Sequence, residues 1–152
     1  YERGGVRASS QLLLASASKF PAAIAIAGAV ADGHLTFDTR ASQIFDWWSS
    51  DSADPRAAVT LRQLLSFTSG FYWPDASSGD APCLASLAGA VEYTPEACAR
   101  QIYERAPFKF APGSTFAYNS FHLQIAGAMA ARAAGLGPSL QPLLRKYLID
   151  KL

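Results

Sequence analysis

The chain has 152 residues, of which 50% are hydrophobic and 16% are charged, and this composition excludes an intrinsically disordered protein. Its length predicts one domain with a hydrophobic core, and neither a repeat nor a linker divides the sequence. The formal net charge is +1 and the thirteen basic residues are scattered, which excludes a nucleic-acid-binding stripe and a polybasic membrane patch.

Two apolar stretches near the start raise the question of targeting. The segment "LLLASASKF" at 12–20 resembles the end of a secretory signal peptide, but its apolar centre has four residues, whereas a working signal needs roughly 7 to 15. The run "FPAAIAIAGAVA" has twelve residues, whereas a membrane span needs about 20. We therefore predict neither a retained signal peptide nor a membrane span. Secreted, periplasmic and cytoplasmic locations all stay open.

Helix signals are frequent along the chain and the alternation typical of strands is nearly absent, so we predict a mainly α chain. The first helix is predicted to begin near Ser18, with Pro21 in its first turn, where backbone amides have no intrahelical partner. It is predicted to end at Asp32-Gly33, and a short helical piece follows around 41–45.

Thr60 is predicted to cap a helix "LRQLLSF" that ends at 68–70, where Gly70 suits a left-handed C-terminal residue. The stretch 71–90 is rich in Ser, Gly, Pro and Asp and predicts a long surface loop that begins with Tyr72 and Trp73. Long loops in compact domains often carry function.

Three further helices are predicted in the second half of the chain. Thr94-Pro95-Glu96 combines a cap, a proline and an acid at a helix start, and that helix ends before Pro107. The segment "SFHLQIAGAMAARAA" predicts a helix that Gly135 terminates, and an amphipathic helix follows within 140–148.

The cysteines and histidines do not have the spacing of metal ligands. Cys83 and Cys98 have no histidine near them, and His34 and His122 are isolated, so a zinc site is disfavoured and both histidines are predicted to be surface or packing residues. The two cysteines form either a disulfide, which suits a secreted or periplasmic protein, or two separate buried thiols. We predict no cofactor, and no glycine-rich phosphate loop is present.

Ser16-Ala17-Ser18-Lys19 has the Ser-x-x-Lys spacing, which suits nucleophilic catalysis. A serine hydroxyl is a weak nucleophile until a base takes its proton, and residues three apart share one face of a helix. Lys19 is therefore able to bring its nitrogen to the Ser16 oxygen. The motif alone is weak, because a capping serine followed by a solvated lysine has the same letters.

Three further segments, in order along the chain, resemble a known family. They are "ADGHLTFDTRASQIF", "VTLRQLLSFTSG" and "APGSTFAYNSFHLQIAGAMA". Together with Ser-x-x-Lys they are similar to the serine β-lactamase, penicillin-binding protein and family VIII carboxylesterase superfamily. The segment "VTLRQLLSFTSG" resembles the one that follows the active serine in class C β-lactamases and their relatives. The last segment resembles the one that carries the family's Tyr-x-Asn element.

The resemblance implies a role for each matching residue. It makes Ser16 the acylated nucleophile, Lys19 an aid to proton removal and Tyr118 the general base or proton shuttle. These roles require a proton to leave Lys19 or Tyr118 near neutral pH, although both side chains have unperturbed pKa values of about 10. Ser120 stands at the third position of Tyr-x-Asn, with Asn119 in the middle. A hydroxyl would therefore face the substrate in place of an amide.

The implied substrate is a small-molecule ester, a β-lactam or a peptide. By analogy of position alone, Tyr72 and Trp73 are expected to line the acyl side of the cleft. The family's Lys-Thr-Gly or His-x-Gly element does not follow Tyr118 in this sequence. In the family, that element lies on a strand that also supplies the second oxyanion-hole amide.

We therefore predict that residues 1–152 form a single incomplete domain. It would be the helical region of an α+β fold whose central sheet is mostly missing from this chain, covering about half of a family member. The predicted function is that of a serine hydrolase acting through an acyl-enzyme. The alternative is a non-catalytic binding or structural fragment that needs a partner, such as the remainder of the domain, to complete the site.

Overall fold

The computed structural model describes residues 5, 7, 9–12, 14–72, 94–137 and 139–151, and within these ranges the chain is mainly helical, as predicted. Its α-helices are α1 (Lys19–Ala31), α2 (Ala41–Ile44), α3 (Leu61–Leu65), α4 (Pro95–Arg105), α5 (Phe121–Ala133) and α6 (Gln141–Tyr147). Short 3-10 helices cover Ala15–Ser18, Pro55–Ala58 and Ile149–Lys151. The β pairing in the described part consists of two isolated bridges, Arg40 with Thr60 and Phe71 with Phe108. No described helix has both the length and the apolar character required to cross a bilayer.

Helix α5 forms the centre of the core. It packs against α1, α2, α3 and α4, while α6 packs on α1. Six of its thirteen residues are alanine or glycine, so neighbouring helices approach it closely on several faces. Its buried residues are Phe121, His122, Ile125, Ala126, Gly127, Ala128, Met129, Ala130 and Ala131. The position of α5 therefore determines where the segments at its ends can lie.

The predicted helix starts at Thr60 and Thr94 are confirmed. Thr60 Oγ1 accepts a hydrogen bond from Gln63 N at 3.3 Å, and Gln63 Oε1 accepts one from Thr60 N at 2.9 Å, which is a capping box. Thr94 Oγ1 accepts from Ala97 N at 3.1 Å, with Pro95 at the first helical position. Both caps satisfy amides that have no partner within the helix.

The predicted end of α3 is wrong. The helix stops at Leu65, and the left-handed residue after it is Phe67, with φ of 58°. Gly70 is also left-handed, with φ of 102°, but it is required for a tertiary reason: a Cβ there would lie 2.3 Å from the carbonyl oxygen of Phe110. The glycine therefore allows two chain segments to meet and does not end the helix.

An aromatic cluster joins α4 to the segment after α2. The rings of Trp48 and Tyr103 lie 4.6 Å apart, and Trp47 Nε1 donates to Glu96 Oε1 at 3.0 Å. Arg132 of α5 pairs with the same Glu96 carboxylate. The Glu96 carboxylate of α4 thus binds both the Trp47 indole N–H and Arg132 of α5. These contacts, together with the aromatic packing, fix α4 against α5.

The predicted loop at 71–90 lies mostly outside the described residues, as does Cys83. Cys98 lies on α4, is buried and is disulfide-bonded. The sulfur atom of Cys98 is therefore part of the core and is not a surface group.

Helix α6 is attached to α1 by a polar contact and a close apolar contact. Tyr147 Oη donates to Asp32 Oδ2 at 2.9 Å, and Lys146 Nζ lies 2.9 Å from the same oxygen. These hydrogen bonds, that from Lys146 first, lower the pKa of Asp32. The Tyr147 ring packs over Gly28, where a Cβ would lie 2.5 Å from Cδ1 of the ring. The absence of a side chain at Gly28 therefore creates the space for α6.

We expect Gly28→Ala to destabilise the chain by about 1–3 kcal/mol, because the added methyl group overlaps the Tyr147 ring. In a Tyr147→Ala background the ring is gone, and the same substitution should then be neutral or stabilising, since alanine favours a helix by roughly 1 kcal/mol over glycine. Urea denaturation of the two single variants and the double variant measures this coupling. Additive effects would contradict the proposed overlap.

Candidate active site

Ser16 lies in a 3-10 turn directly before α1. The turn covers Ala15–Ser18, and α1 begins at Lys19. Ala15 adopts a left-handed backbone with φ of 44°, which is uncommon for a residue with a side chain. Ser18 stabilises the turn, because its hydroxyl donates to the Ala15 carbonyl at 2.7 Å. The Ser16 side chain is thereby held exposed at the N-terminal end of the helix.

The structure brings Ser16, Lys19 and Tyr118 together. Lys19 Nζ donates to Ser16 Oγ at 3.1 Å, as the helical spacing predicts. Tyr118 Oη, from a segment 102 residues further along the chain, donates to Ser16 Oγ at 2.8 Å. Lys19 Nζ also lies 5.0 Å from the centre of the Tyr118 ring. Two side chains that are able to exchange protons therefore converge on one serine oxygen.

The surroundings of Tyr118 favour its ionised form. The hydrogen bond with Ser16, then that with Lys19, and finally the positive charge of Lys19 lower the pKa of Tyr118 below its ordinary value of about 10. The side chain is 54% exposed, so solvent screens part of this effect. The direction of the shift is the one that a phenol acting as a base requires.

Ser120 lines a groove beside Ser16 and Lys19. The groove has a volume of about 770 Å³ and is open to solvent. Leucine side chains of α5, of α6 and of the residues flanking α6 form its apolar wall: Leu123, Leu140, Leu144 and Leu148. The groove therefore has polar groups at the serine and an apolar wall that leads away from it.

The other two predicted binding residues are not brought to this group by the described contacts. Tyr72 packs edge-on against Phe110, with ring centres 5.6 Å apart, and Lys109 Nζ lies 4.7 Å from its ring centre. Trp73 lies outside the described residues. A binding role for either residue stays a prediction.

Two residues without a predicted role, Asn119 and Phe67, support Tyr118. Asn119 is 8% exposed and points into the core, whereas Tyr118 points outward. The Phe67 ring packs at a tilt of 40° against the Tyr118 ring, with centres 5.0 Å apart, and the Phe67 carbonyl accepts a hydrogen bond from Ala117 N at 2.8 Å. The Asn-x-x-His spacing of Asn119 and His122 was visible in the sequence as a pair that can meet at a helix start.

His122 is completely buried, which confirms the prediction of a packing residue. Its Nδ1 lies 2.8 Å from Asn119 Oδ1, and its ring centre lies 5.2 Å from that of Phe67. Its Nε2 has no hydrogen-bond partner within the described part of the chain. Burial lowers the pKa of His122 to about 4, so the ring is neutral at pH 7.

Comparison with known proteins identifies the family. The family model described as Beta-lactamase matches residues 1–152, the whole of the chain. The chain belongs to the beta-lactamase family. This confirms the resemblance drawn from the sequence, and members of this family are serine hydrolases.

Solved structures of this family share the fold of the chain. A putative beta-lactamase from Bacteroides dorei is 31% identical, with a TM-score of 0.64, and the match covers 90% of this chain and 36% of that protein. A penicillin-binding protein from Bacillus halodurans is 27% identical, with a TM-score of 0.60, and the match covers 84% of this chain and 37% of the other. This beta-lactamase-family chain therefore spans less than half of either protein.

A third structure shows the fold alone. A D-stereospecific amidohydrolase from a Streptomyces species has a TM-score of 0.64 at 20% identity, over 88% of this chain and 40% of its own length. No curated protein matches the chain significantly. The mainly helical, partial character of this beta-lactamase-family chain agrees with the fold expected from its sequence.

We expect the free energy of unfolding to fall by about 3 kcal/mol as pH decreases from 6.5 to 4, because of His122. Its folded pKa lies below its unfolded value, so over this range the unfolded chain takes up a proton that the folded chain excludes. The contribution of the neutral His122 ring to the free energy of unfolding is complete above pH 6.5 and is lost as pH falls toward 4. Urea denaturation at a series of pH values measures it.

The variant His122→Gln should lose most of this pH dependence, because glutamine does not titrate. The matched control is His34→Gln at the exposed histidine. In this variant, the free energy of unfolding should change with pH as it does in the parent chain. An unchanged slope in His122→Gln would show that another group titrates. Other groups should affect the free energy of unfolding only below pH 4. They are the carboxyl groups with lowered pKa values: Asp32, Asp38 and Asp54.

Proposed function

We propose that this chain carries the acylation machinery of a serine hydrolase, with Ser16 as the nucleophile. The observation that carries the proposal is the pair of hydrogen bonds, 3.1 Å from Lys19 and 2.8 Å from Tyr118, that converge on Ser16 Oγ. A nucleophile within hydrogen-bond reach of a base, which is itself positioned by a third group, is the arrangement that activates a serine. Membership of the beta-lactamase family supports the same chemistry.

The proposed reaction begins when the basic form of Lys19 or Tyr118 takes the proton of the Ser16 hydroxyl. When Tyr118 is ionised, its hydrogen bond to Ser16 reverses, and the serine becomes the donor. Ser16 Oγ then attacks the substrate carbonyl carbon, and the bond from that carbon to the leaving oxygen or nitrogen breaks. The leaving group takes up the proton. Water then hydrolyses the acyl-enzyme, which yields a carboxylic acid and restores the serine.

The proposed substrates are small-molecule esters, amides such as peptides, and β-lactams. Relatives with these folds are described as a beta-lactamase, a penicillin-binding protein and an amidohydrolase. The hydroxyl of Ser120 beside Ser16 supports contact with the substrate. Tyr72 and Trp73 are proposed to contribute to the acyl side of the cleft. Relative rates on a p-nitrophenyl ester and a chromogenic cephalosporin will rank the substrate classes.

Two observations favour a second function. The chain spans 36% and 37% of the two most similar relatives described above, and apolar side chains beside the site are exposed, among them Leu14 at 59% and Ile149 at 50%. In this alternative, residues 1–152 are part of a domain that binds its remaining part before it is active. If an oxyanion-hole donor is then missing from the chain alone, acylation is slower by on the order of 10²–10³.

We expect a fluorescent phosphonate and a fluorescent penicillin to modify Ser16, and Ser16→Ala to abolish the modification. Trypsin releases residues 8–19 as one peptide, and its fragmentation separates Ser16 from Ser9, Ser10 and Ser18. Ser66→Ala, at an exposed serine that donates to the Arg62 carbonyl, is the matched control and should label like the parent.

The labelling experiment includes this chain and any longer protein that contains it. Labelling of Ser16 in the longer protein alone supports the second function. Absence of an adduct in both refutes the hydrolase proposal.

Tyr118→Phe should slow acylation by roughly 10²–10⁴ if Tyr118 is the base. In the parent chain the acylation rate should rise with pH as Tyr118 loses its proton, and the rise should occur below pH 10 because the pKa of Tyr118 is lowered. Stopped-flow measurement of probe labelling gives both quantities. Tyr103→Phe removes a hydroxyl on α4 and should keep the parent rate. A Tyr118→Phe variant with the parent rate would leave Lys19 as the base.

A further inference from the structure

Asn119 uses all of its hydrogen-bonding capacity inside the protein. Its Nδ2 donates to the carbonyl oxygens of Phe71 and Ala117, each at 3.2 Å. Its Oδ1 accepts from Phe121 N at 2.9 Å and lies 2.8 Å from His122 Nδ1. Two donors and two acceptor positions are the full inventory of an amide side chain. The orientation of the amide is therefore fixed by four contacts on both sides of the 118–120 segment.

The same contacts fix which nitrogen of His122 carries the proton. Asn119 Oδ1 is an acceptor, because the amide nitrogen already faces two carbonyl groups. His122 Nδ1 must therefore be the donor, and in the neutral ring Nε2 is then unprotonated. Nε2 is buried without a hydrogen-bond partner among the described residues. The ring thus acts as a single, directed donor to Asn119 from within the core.

Asn119 and Tyr118 are adjacent in an irregular segment that leads into α5, and they point in opposite directions. A buried anchor at one residue restricts the direction of the next side chain, since the backbone between them has only two soft dihedrals per residue. The Phe67 ring lies between His122 and Tyr118, with centres 5.2 Å and 5.0 Å away, and limits the remaining rotation of the phenol. The buried pair therefore controls the position of an exposed side chain.

We propose that Asn119 and His122 are positioning residues that hold the Tyr118 hydroxyl against Ser16. The catalytic part of this inference rests on the proposed function, whereas the geometric part does not. Neither residue contacts Ser16 in the described structure, so each acts through Tyr118. Loss of the His122 donor frees Asn119 Oδ1 to turn, and the contact between Tyr118 and Ser16 is lost with it.

The test compares His122→Leu, which has no donor, with His122→Gln, whose amide N–H group can replace the imidazole donor. Tyrosine labelled with ¹³C at Cζ gives an NMR signal for Tyr118, which Tyr118→Phe assigns, and its titration measures the Tyr118 pKa without a substrate. His122→Leu should raise this pKa to the ordinary value of about 10 and slow acylation at saturating probe by roughly 10- to 100-fold, with little change in probe affinity. His122→Gln should remain close to the parent chain in both the Tyr118 pKa and the acylation rate.

The matched control is Ile125→Ala, which removes a completely buried side chain one turn further along α5. It should lower stability without moving the Tyr118 titration. If it shifts Tyr118 as much as His122→Leu does, or if His122→Leu leaves Tyr118 and the labelling rate unchanged, the proposal is wrong. A His122→Gln variant that behaves like His122→Leu also overturns it.

The unaltered chain provides a second measurement, which does not depend on any variant folding. Nitrogen NMR of His122 at pH 7 should show the proton on Nδ1, and a proton on Nε2 would overturn the proposal, because such a ring cannot donate to Asn119. The titration also separates this inference from the proposed function. If Tyr118 responds as expected but Ser16 never reacts with a probe, the positioning pair stands and the hydrolase proposal falls.

Discussion

Burial of α5 is the constraint on which the remaining structure depends. A helix with ten apolar residues out of thirteen is stable in water only when protein covers nearly all of its surface, and α1, α3 and α4 provide that cover. The segment 118–120 leads directly into α5, while α1 packs along it and begins at Lys19. Packing one helix therefore brings together two chain segments that are 102 residues apart in sequence.

The site combines exposed reactive groups with buried support. Ser16 and Tyr118 are exposed, and hydrogen bonds between exposed groups compete with water and contribute little to a fixed geometry. Asn119 and His122 lie where water does not compete, and polar contacts there are stronger and more directional. Under the proposed positioning role, this division allows a side chain that is open to solvent to keep one orientation. Ala15 and Phe67, on both sides of the same site, have left-handed backbones, which are unfavourable for residues with a side chain.

Sequence reasoning was successful where the determining interactions are local. The caps at Thr60 and Thr94 and the Ser16–Lys19 contact each involve residues three apart, so the spacing alone predicted them. The assignment of Gly70 failed because the reason for that glycine, the close approach of the Phe110 carbonyl, comes from a segment 40 residues away. The convergence of Tyr118 on Ser16 was available only through the family resemblance, since no local rule joins residues so distant in sequence.

The order Tyr-Asn-Ser divides two tasks between neighbouring positions. The amide of Asn119 is turned inward, where four hydrogen bonds occupy it, and the hydroxyl of Ser120 lines the groove beside Ser16. A hydroxyl donates one hydrogen bond where a side-chain amide donates two. Under the proposed function, the groove would offer fewer donors to the acyl amide of a peptide or lactam than a Tyr-x-Asn sequence would, whereas an ester with an apolar acyl group has no amide to recognise. In the proposed hydrolase, the exchange would favour substrates with apolar acyl groups, because the leucine wall of the groove can bury them.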